Sequence, residues 1–257
     1  MTKTTACALA ALAALAPAVA LAPAAVADDS SSGDHAITLH ATLNPFKVNK
    51  VTGSGTARVH LEGNKAHVMV KHSGLLAGAP HAQHFHINAK GVCPPETAAK
   101  TRNGKTFLNT TDGAPFYGGI GTSLTTTGDT SPSSGLAVDR FPVGDKVHYE
   151  RTITLSDEAA KSLREGTGVV VVHGIDFNGN GKYDDNLGPS DLDPKLPSEA
   201  TNPALCGPLK MAAKGAVQGG QGGTQETINT AAAAGGATLL VGAVAAYGLR
   251  RRSASQS

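Results

Sequence analysis

The chain has 257 residues, with 22 Lys and Arg against 20 Asp and Glu, no Trp, and aromatic residues making up only 4% of the sequence. Lys3 and Arg250, Arg251 and Arg252 sit at the two ends, so the chain between them carries 18 basic against 20 acidic side chains. That balance leaves no electrostatic footprint for nucleic acid, and so few aromatics leave no stacking platform for carbohydrate.

Lys3 is followed by an Ala/Leu/Val run from Ala6 to Ala22, then by Ala25-Val26-Ala27 just before Asp28-Asp29. A positive head, an apolar stretch and an A-x-A site are the parts of a secretory signal peptide, predicted over residues 1–27. A buried Ala-rich helix is the poorer reading, because Pro17 and Pro23 interrupt it. Residues 34–210 then read as one all-β domain. His35–Leu43 alternates apolar and polar as a half-buried strand does. Thr56–Leu61 and Ala66–Lys71 flank Glu62-Gly63-Asn64-Lys65, which predicts a hairpin. His81-Ala82-Gln83-His84-Phe85-His86-Ile87 comes next. Asn88–Gly144, rich in Gly, Pro, Thr and Ser, predicts long loops with one or two short strands.

Lys146–Leu155 alternates again. Ser156–Arg164 reads as a short helix, with Ser156 as N-cap and acids in its first turn. Gly168–His173 is a continuous β-branched run, suited to a central strand buried on both faces. Many short strands with loop punctuation predict an antiparallel sandwich or Greek-key barrel. A Gly/Gln-rich tether is predicted over 211–227. The uncharged stretch Ile228–Leu249 is long enough for a membrane helix. Arg250, Arg251 and Arg252 would mark residues 250–257 as the cytoplasmic tail of a single-pass, cell-surface protein. A sorting tail that is removed is the competing reading of this end.

Cys7 leaves with the signal peptide. Cys93 and Cys206 remain, two thiols in an oxidising compartment, and are expected to pair as one disulfide.

The histidines carry the chemistry. In a strand His84 and His86 point to the same face, and alternate spacing lets both imidazoles reach one ion. His173 ends the Val run, where a third ligand could converge. Imidazole suits copper, zinc or iron alike, and surface or structurally bonded histidines remain the alternative. Just beyond, Asp176, Asn178, Asn180 and Asp184 occupy positions one, three, five and nine of a calcium-type loop, with Gly181 at six. Position twelve is Leu187 instead of the bidentate Glu. An Asx-rich turn bonded to itself is the alternative. Asp176 is also placed to accept a hydrogen bond from a ligand imidazole. No nucleophile motif, phosphate loop or H-E-x-x-H occurs in the sequence.

The order of these features resembles a known family. A Gly-rich loop, H-x-x-H-x-H, Cys93 seven residues later, V-V-V-H-G at 170–174 and C-G-P-L at 206–209 are similar to the copper–zinc superoxide dismutases. The resemblance implies an eight-stranded Greek-key barrel, with His84, His86 and His173 as copper ligands and Cys93–Cys206 as the disulfide. His81 matches that family's structural histidine. The family's bridging histidine and zinc ligands fall between the first cysteine and the next strands, and no His lies between Ile87 and Val147. The resemblance therefore implies copper without zinc. The family's active-site arginine, three residues before the second cysteine, is here Pro203. Superoxide turnover is thereby placed in doubt, no side chain is assigned a catalytic role, and enzyme or copper-holding protein stays open. A second resemblance, through H-x-x-H-x-H, is to the extracellular CHRD modules, which implies a non-enzymatic binding or spacer unit. Neither resemblance names a protein partner.

Overall fold

A computed structural model describes residues 35–212 of the chain. The predicted signal peptide, the membrane helix, the tail and most of the tether lie outside the described residues. Among those described, no helix is long and apolar enough to cross a membrane.

The strands are β1 (Ile37–Pro45), β2 (Ser54–Glu62), β3 (Lys65–Ser73), β4 (Gln83–Ile87), β5 (Lys100–Arg102), β6 (Lys105–Phe107), β7 (Gly119–Ser123), β8 (Lys146–Thr154), β9 (Val169–His173), β10 (Pro203–Pro208) and β11 (Lys210–Met211). The helices are α1 (Thr110–Tyr117), α2 (Asp157–Arg164) and the single turn α3 (Ser198–Thr201). The protein is all-β and barrel-like: one curled antiparallel sheet runs β7-β4-β9-β10-β1-β2-β3-β8, while β5 and β6 form a separate hairpin. On the open side, Arg151 of β8 reaches across to donate to the Thr125 carbonyl (2.8 Å) and the Gly128 carbonyl (2.7 Å), in the segment that follows β7.

Alternation in the sequence becomes alternation in burial. Leu39, Ala41 and Leu43 of β1, Val59 and Leu61 of β2, and Ala66, Val68 and Val70 of β3 fill the concave side. β4 and β9 are buried on both faces. Val170 and Val172 join that concave core, whereas Val169 and Val171 pack outward with Leu108, Tyr117 and Cys206 under the long loops. The loops thus cover one patch of the outer sheet face, and that patch is where the candidate site lies.

Cys93 and Cys206 form the disulfide, closing a loop with a sequence separation of 113. Loop-closure entropy gives such a link at most about 5 kcal/mol, reduced by any residual structure in the unfolded chain. Ser156 caps α2 by accepting from the Ala159 amide at 3.1 Å, and the first turn carries Asp157 and Glu158. The tether starts later than predicted. Met211 pairs with Leu39, and the Ala212 amide donates to Thr38, because β1 still has free edge groups there.

The long loop region holds β5, β6, β7 and, unexpectedly, α1. This helix begins at a capping box made by Asn109 and Asp112. Asp112 also takes both Arg102 bonds (2.8 and 2.7 Å) and a Lys100 contact (2.8 Å), which ties the β5–β6 hairpin to the helix. These partners hold its carboxyl below the usual carboxylate range, against the opposing effect of burial.

His72 of β3 is buried in the interior, with neither ring nitrogen hydrogen-bonded, edge-on to His81 at 5.7 Å. Burial, and then the nearby His81, lower its pKa from 6.5 to about 4. The unfolded chain binds this proton more readily, so the stability tied to a neutral His72 is present above about pH 6.5 and lost as pH falls through 4. His72→Leu replaces two unpaired nitrogens by apolar surface. It should raise the melting temperature more at pH 4.5 than at pH 7. An equal shift at both pH values would contradict this assignment.

Candidate metal centre

The β4–β9 register builds the site. His84 lies opposite Val171 and His86 opposite Val169. His173, two residues beyond Val171, is therefore the diagonal neighbour of His84 on the same face, within side-chain reach. Ring centroids are 5.7 Å apart for His84–His86, 5.1 Å for His84–His173 and 5.8 Å for His86–His173. One nitrogen from each ring lies within 4.8 Å of the other two, and all three residues are buried. Among the described residues this is the one His/Cys/Asp/Glu group that converges so closely.

Each ring is held by one backbone carbonyl. His84 donates Nε2–H to Gly135 (3.0 Å), His86 donates Nδ1–H to Gly118 (2.9 Å), and His173 donates Nδ1–H to Thr201 (2.7 Å). A carbonyl only accepts, so these bonds fix the proton on that nitrogen. The other three nitrogens, His84 Nδ1, His86 Nε2 and His173 Nε2, are buried and have no partner. Burial keeps the rings neutral. It lowers His86 to about 3 and His173 to about 4, and with the neighbouring His173 and His86 it holds His84 well below its usual value. Three neutral imidazoles, each with a bare lone pair and a fixed tautomer, form a nitrogen donor set suited to a transition-metal ion.

The carbonyls are themselves positioned. Gly118 has φ +93, a conformation that favours glycine, and a side chain there would collide with the Ile87 carbonyl. Asp129 accepts from the Ser131 and Ser134 hydroxyls, both at 2.6 Å, and knits the turn that presents Gly135. Those hydroxyls draw its carboxyl down to about 2. Tyr117 packs its ring 4.6 Å from His86. None of these supports announces itself in the sequence, because a backbone carbonyl carries no residue signature.

His81 bonds outside the triad. Its Nδ1 is 3.0 Å from the His173 carbonyl and its Nε2 is 3.0 Å from the Leu76 carbonyl, so the ring links the approach to β4 with the end of β9. Tyr183 Oη lies 3.1 Å from the same Nδ1. Asp176 accepts from no imidazole. Its carboxylate takes the Gly179, Asn180 and Gly181 amides, because the loop doubles back on it, and the acceptors of the three triad rings are the carbonyls above. In the calcium-type loop, Asn178 and Asn180 turn their amide nitrogens onto Asp184 Oδ2, and Asn180 Oδ1 takes the Lys182 amide. Glu199, fully buried, accepts from the Phe177 and Asp184 amides and pins both ends of this loop. It was not anticipated, since its role depends on a contact across more than a dozen residues.

Beside His84 and His173 is a pocket of about 20 Å³, room for roughly one water. It is lined by Ile120, Leu136, Val138, Leu192, Ala200 and Thr201 among others, with no Lys or Arg. Pro203, at the position expected for an arginine, pairs with His173 in the sheet and is buried. His60, His67 and His148 lie on the outward face of β2, β3 and β8, and His72 points inside; none of the four is among the triad's ring neighbours.

Comparison of the chain with protein-family models and with curated proteins finds no match in either.

Gly118→Ala tests the carbonyl support. The strained φ should cost about 1–3 kcal/mol of stability, and loss of the His86 anchor should weaken metal affinity about 10–100-fold. Unfolding curves and a copper competition titration measure the two; unchanged affinity in a destabilised variant would assign Gly118 to folding alone.

Proposed function

We propose that this protein is a cell-surface-anchored, superoxide dismutase-like domain that binds copper through His84, His86 and His173 and turns over superoxide slowly, if at all. The observation that carries the reading is the set of three buried, unpartnered imidazole nitrogens. Such groups cost roughly 1–3 kcal/mol each when left empty, and a bound ion relieves all three at once. The strand order supports a Greek-key barrel of the dismutase type, opened between β7 and β8. The His81 bond to the His173 carbonyl and the Cys93–Cys206 link agree with that likeness.

The slow-turnover half rests on what surrounds the triad. An anion is drawn to a buried metal by cationic side chains, which raise encounter rates about 10–1000-fold, and the pocket lining supplies none. No His between Ile87 and Val147 is present to complete a zinc site or a bridge.

Purified protein loaded with copper should hold one tightly bound ion, and His84→Ala or His173→Ala should each lose it. Superoxide removal should be at least about 100-fold below the diffusional ceiling. Unchanged copper content in both variants would sink the site and leave the CHRD-like binding module as the better reading. Near-diffusion-limited removal would overturn slow turnover.

The Asp176–Asp185 loop is proposed as a weak calcium site through Asp176, Asn178, Asn180 and Asp184. An ion there must displace the amides now bonded to Asp184, and position twelve offers no carboxylate. Affinity near the millimolar level of weak extracellular modules is expected. A calorimetric titration that stays silent to about 5 mM calcium, above that range, removes the idea.

A further inference from the structure

The outer face of β2, β3 and β8 carries a second group of imidazole and carboxylate side chains, separate from the buried triad. The register sets His60 of β2 directly opposite His67 of β3. Met69 lies opposite Glu150 of β8, and Lys71 opposite His148. Opposite residues on one face of an antiparallel pair hold their Cβ atoms about 4.5–5.5 Å apart, so His60 and His67 share a reach that two imidazoles can close on one ion. Glu150 sits diagonally between two histidines. Its Oε1 is 3.0 Å from His67 Nε2, and its Oε2 is 3.6 Å from His148 Nε2. All three of these side chains are about half exposed or more.

We propose that His60, His67 and Glu150, with His148 alongside, form an open surface site for a divalent transition-metal ion such as Cu(II). Two imidazoles and a carboxylate are a donor set that copper and zinc accept. A carboxylate placed between two imidazoles lowers the cost of bringing a cation close. The resting side chains do not converge: His60 is turned aside, its Nδ1 3.3 Å from Thr38 Oγ1. An ion must rotate these exposed groups into place, which costs side-chain entropy. Arg58 and Lys71 share the same face and oppose a cation. Both effects make this site weaker than the triad, where the rings are already fixed by carbonyls.

The proposal is independent of the triad and is tested on the full chain by Cu(II) titration against a competing amino-acid chelator. Unmutated protein should bind two ions, one tight and one weak. His60→Ala with His67→Ala, both on the surface and expected to fold normally, should keep the tight ion and weaken the second at least tenfold. His84→Ala with His173→Ala should do the reverse. If the triad does not bind copper, the unmutated chain shows only the weak ion and the surface variant shows none, which still supports this site. Absence of any weak ion, or a weak ion whose affinity the surface variant leaves unchanged, overturns it.

Discussion

The antiparallel pairing that sets His84 opposite Val171 decides which side chains can meet on the covered face of the sheet. Side chains alternate along a strand, so a slip of one residue would send His84 and His86 into the apolar core and bring Phe85 out. The neighbouring residues resist that slip. Phe85, Val170 and Val172 belong to the concave core, and Val169 and Val171 to the outer cluster under α1. The candidate site is therefore specified by apolar burial on both faces of two five-residue strands, before any hydrogen bond to an imidazole is counted. Cys206 lies opposite Val171 in the next strand, so the disulfide anchors the covering loop beside the same register.

Burial and hydrogen bonding act in opposite directions on the three rings. The carbonyls favour a protonated ring, while burial, joined at His84 and His86 by the neighbouring rings, disfavours it, and burial is the larger influence. The outcome is a neutral ring with its proton held on the nitrogen away from its neighbours. An ion that binds only the folded chain adds to folding stability by mass action, and here it also removes the desolvation cost of three lone pairs. His72 and the triad differ on this point. His72 has no carbonyl on either nitrogen and belongs to no converging group of three donors among the described residues, so its burial brings cost without a corresponding site.

Much of this was readable in the sequence, for identifiable reasons. The hairpin of β2 and β3, the long β8 and the buried β9 follow from alternation or from a β-branched run. Ser156 as a cap follows from the side chain that an unpaired helix amide needs. The pair His84/His86 follows from the two-residue strand repeat. α1 was not readable, because Thr-Thr-Asp-Gly-Ala-Pro-Phe-Tyr contains both Gly and Pro and no apolar stripe. Its stability comes from the Asn109–Asp112 capping box and from Arg102, a tertiary partner that local propensity does not see. The Gly118, Gly135 and Thr201 carbonyls were hidden for a different reason. Any residue supplies a carbonyl, and only the fold says where it points. Asp176 shows the converse, since its type suited a bond to an imidazole but its own loop reaches it first.

The loops that close the triad are attached to it through the rings themselves. Gly135, in the turn braced by Asp129, holds His84, and Thr201, in α3, holds His173. Leu136 and Leu192 lie at the rim of the apolar pocket beside those two rings and are still partly exposed. Moving either loop aside to admit an ion also withdraws the carbonyl that fixes a ring's tautomer and aim. Opening the pocket and loosening the donor set are thus one event. A metal ion bound as proposed would be retained both by three ring nitrogens and by loops that must unbond to release it. A small anion faces a harder entry, since it must shed water into an apolar pocket with no cation in the lining to replace that hydration. The same closure that favours retention of an ion therefore works against rapid passage of a charged substrate.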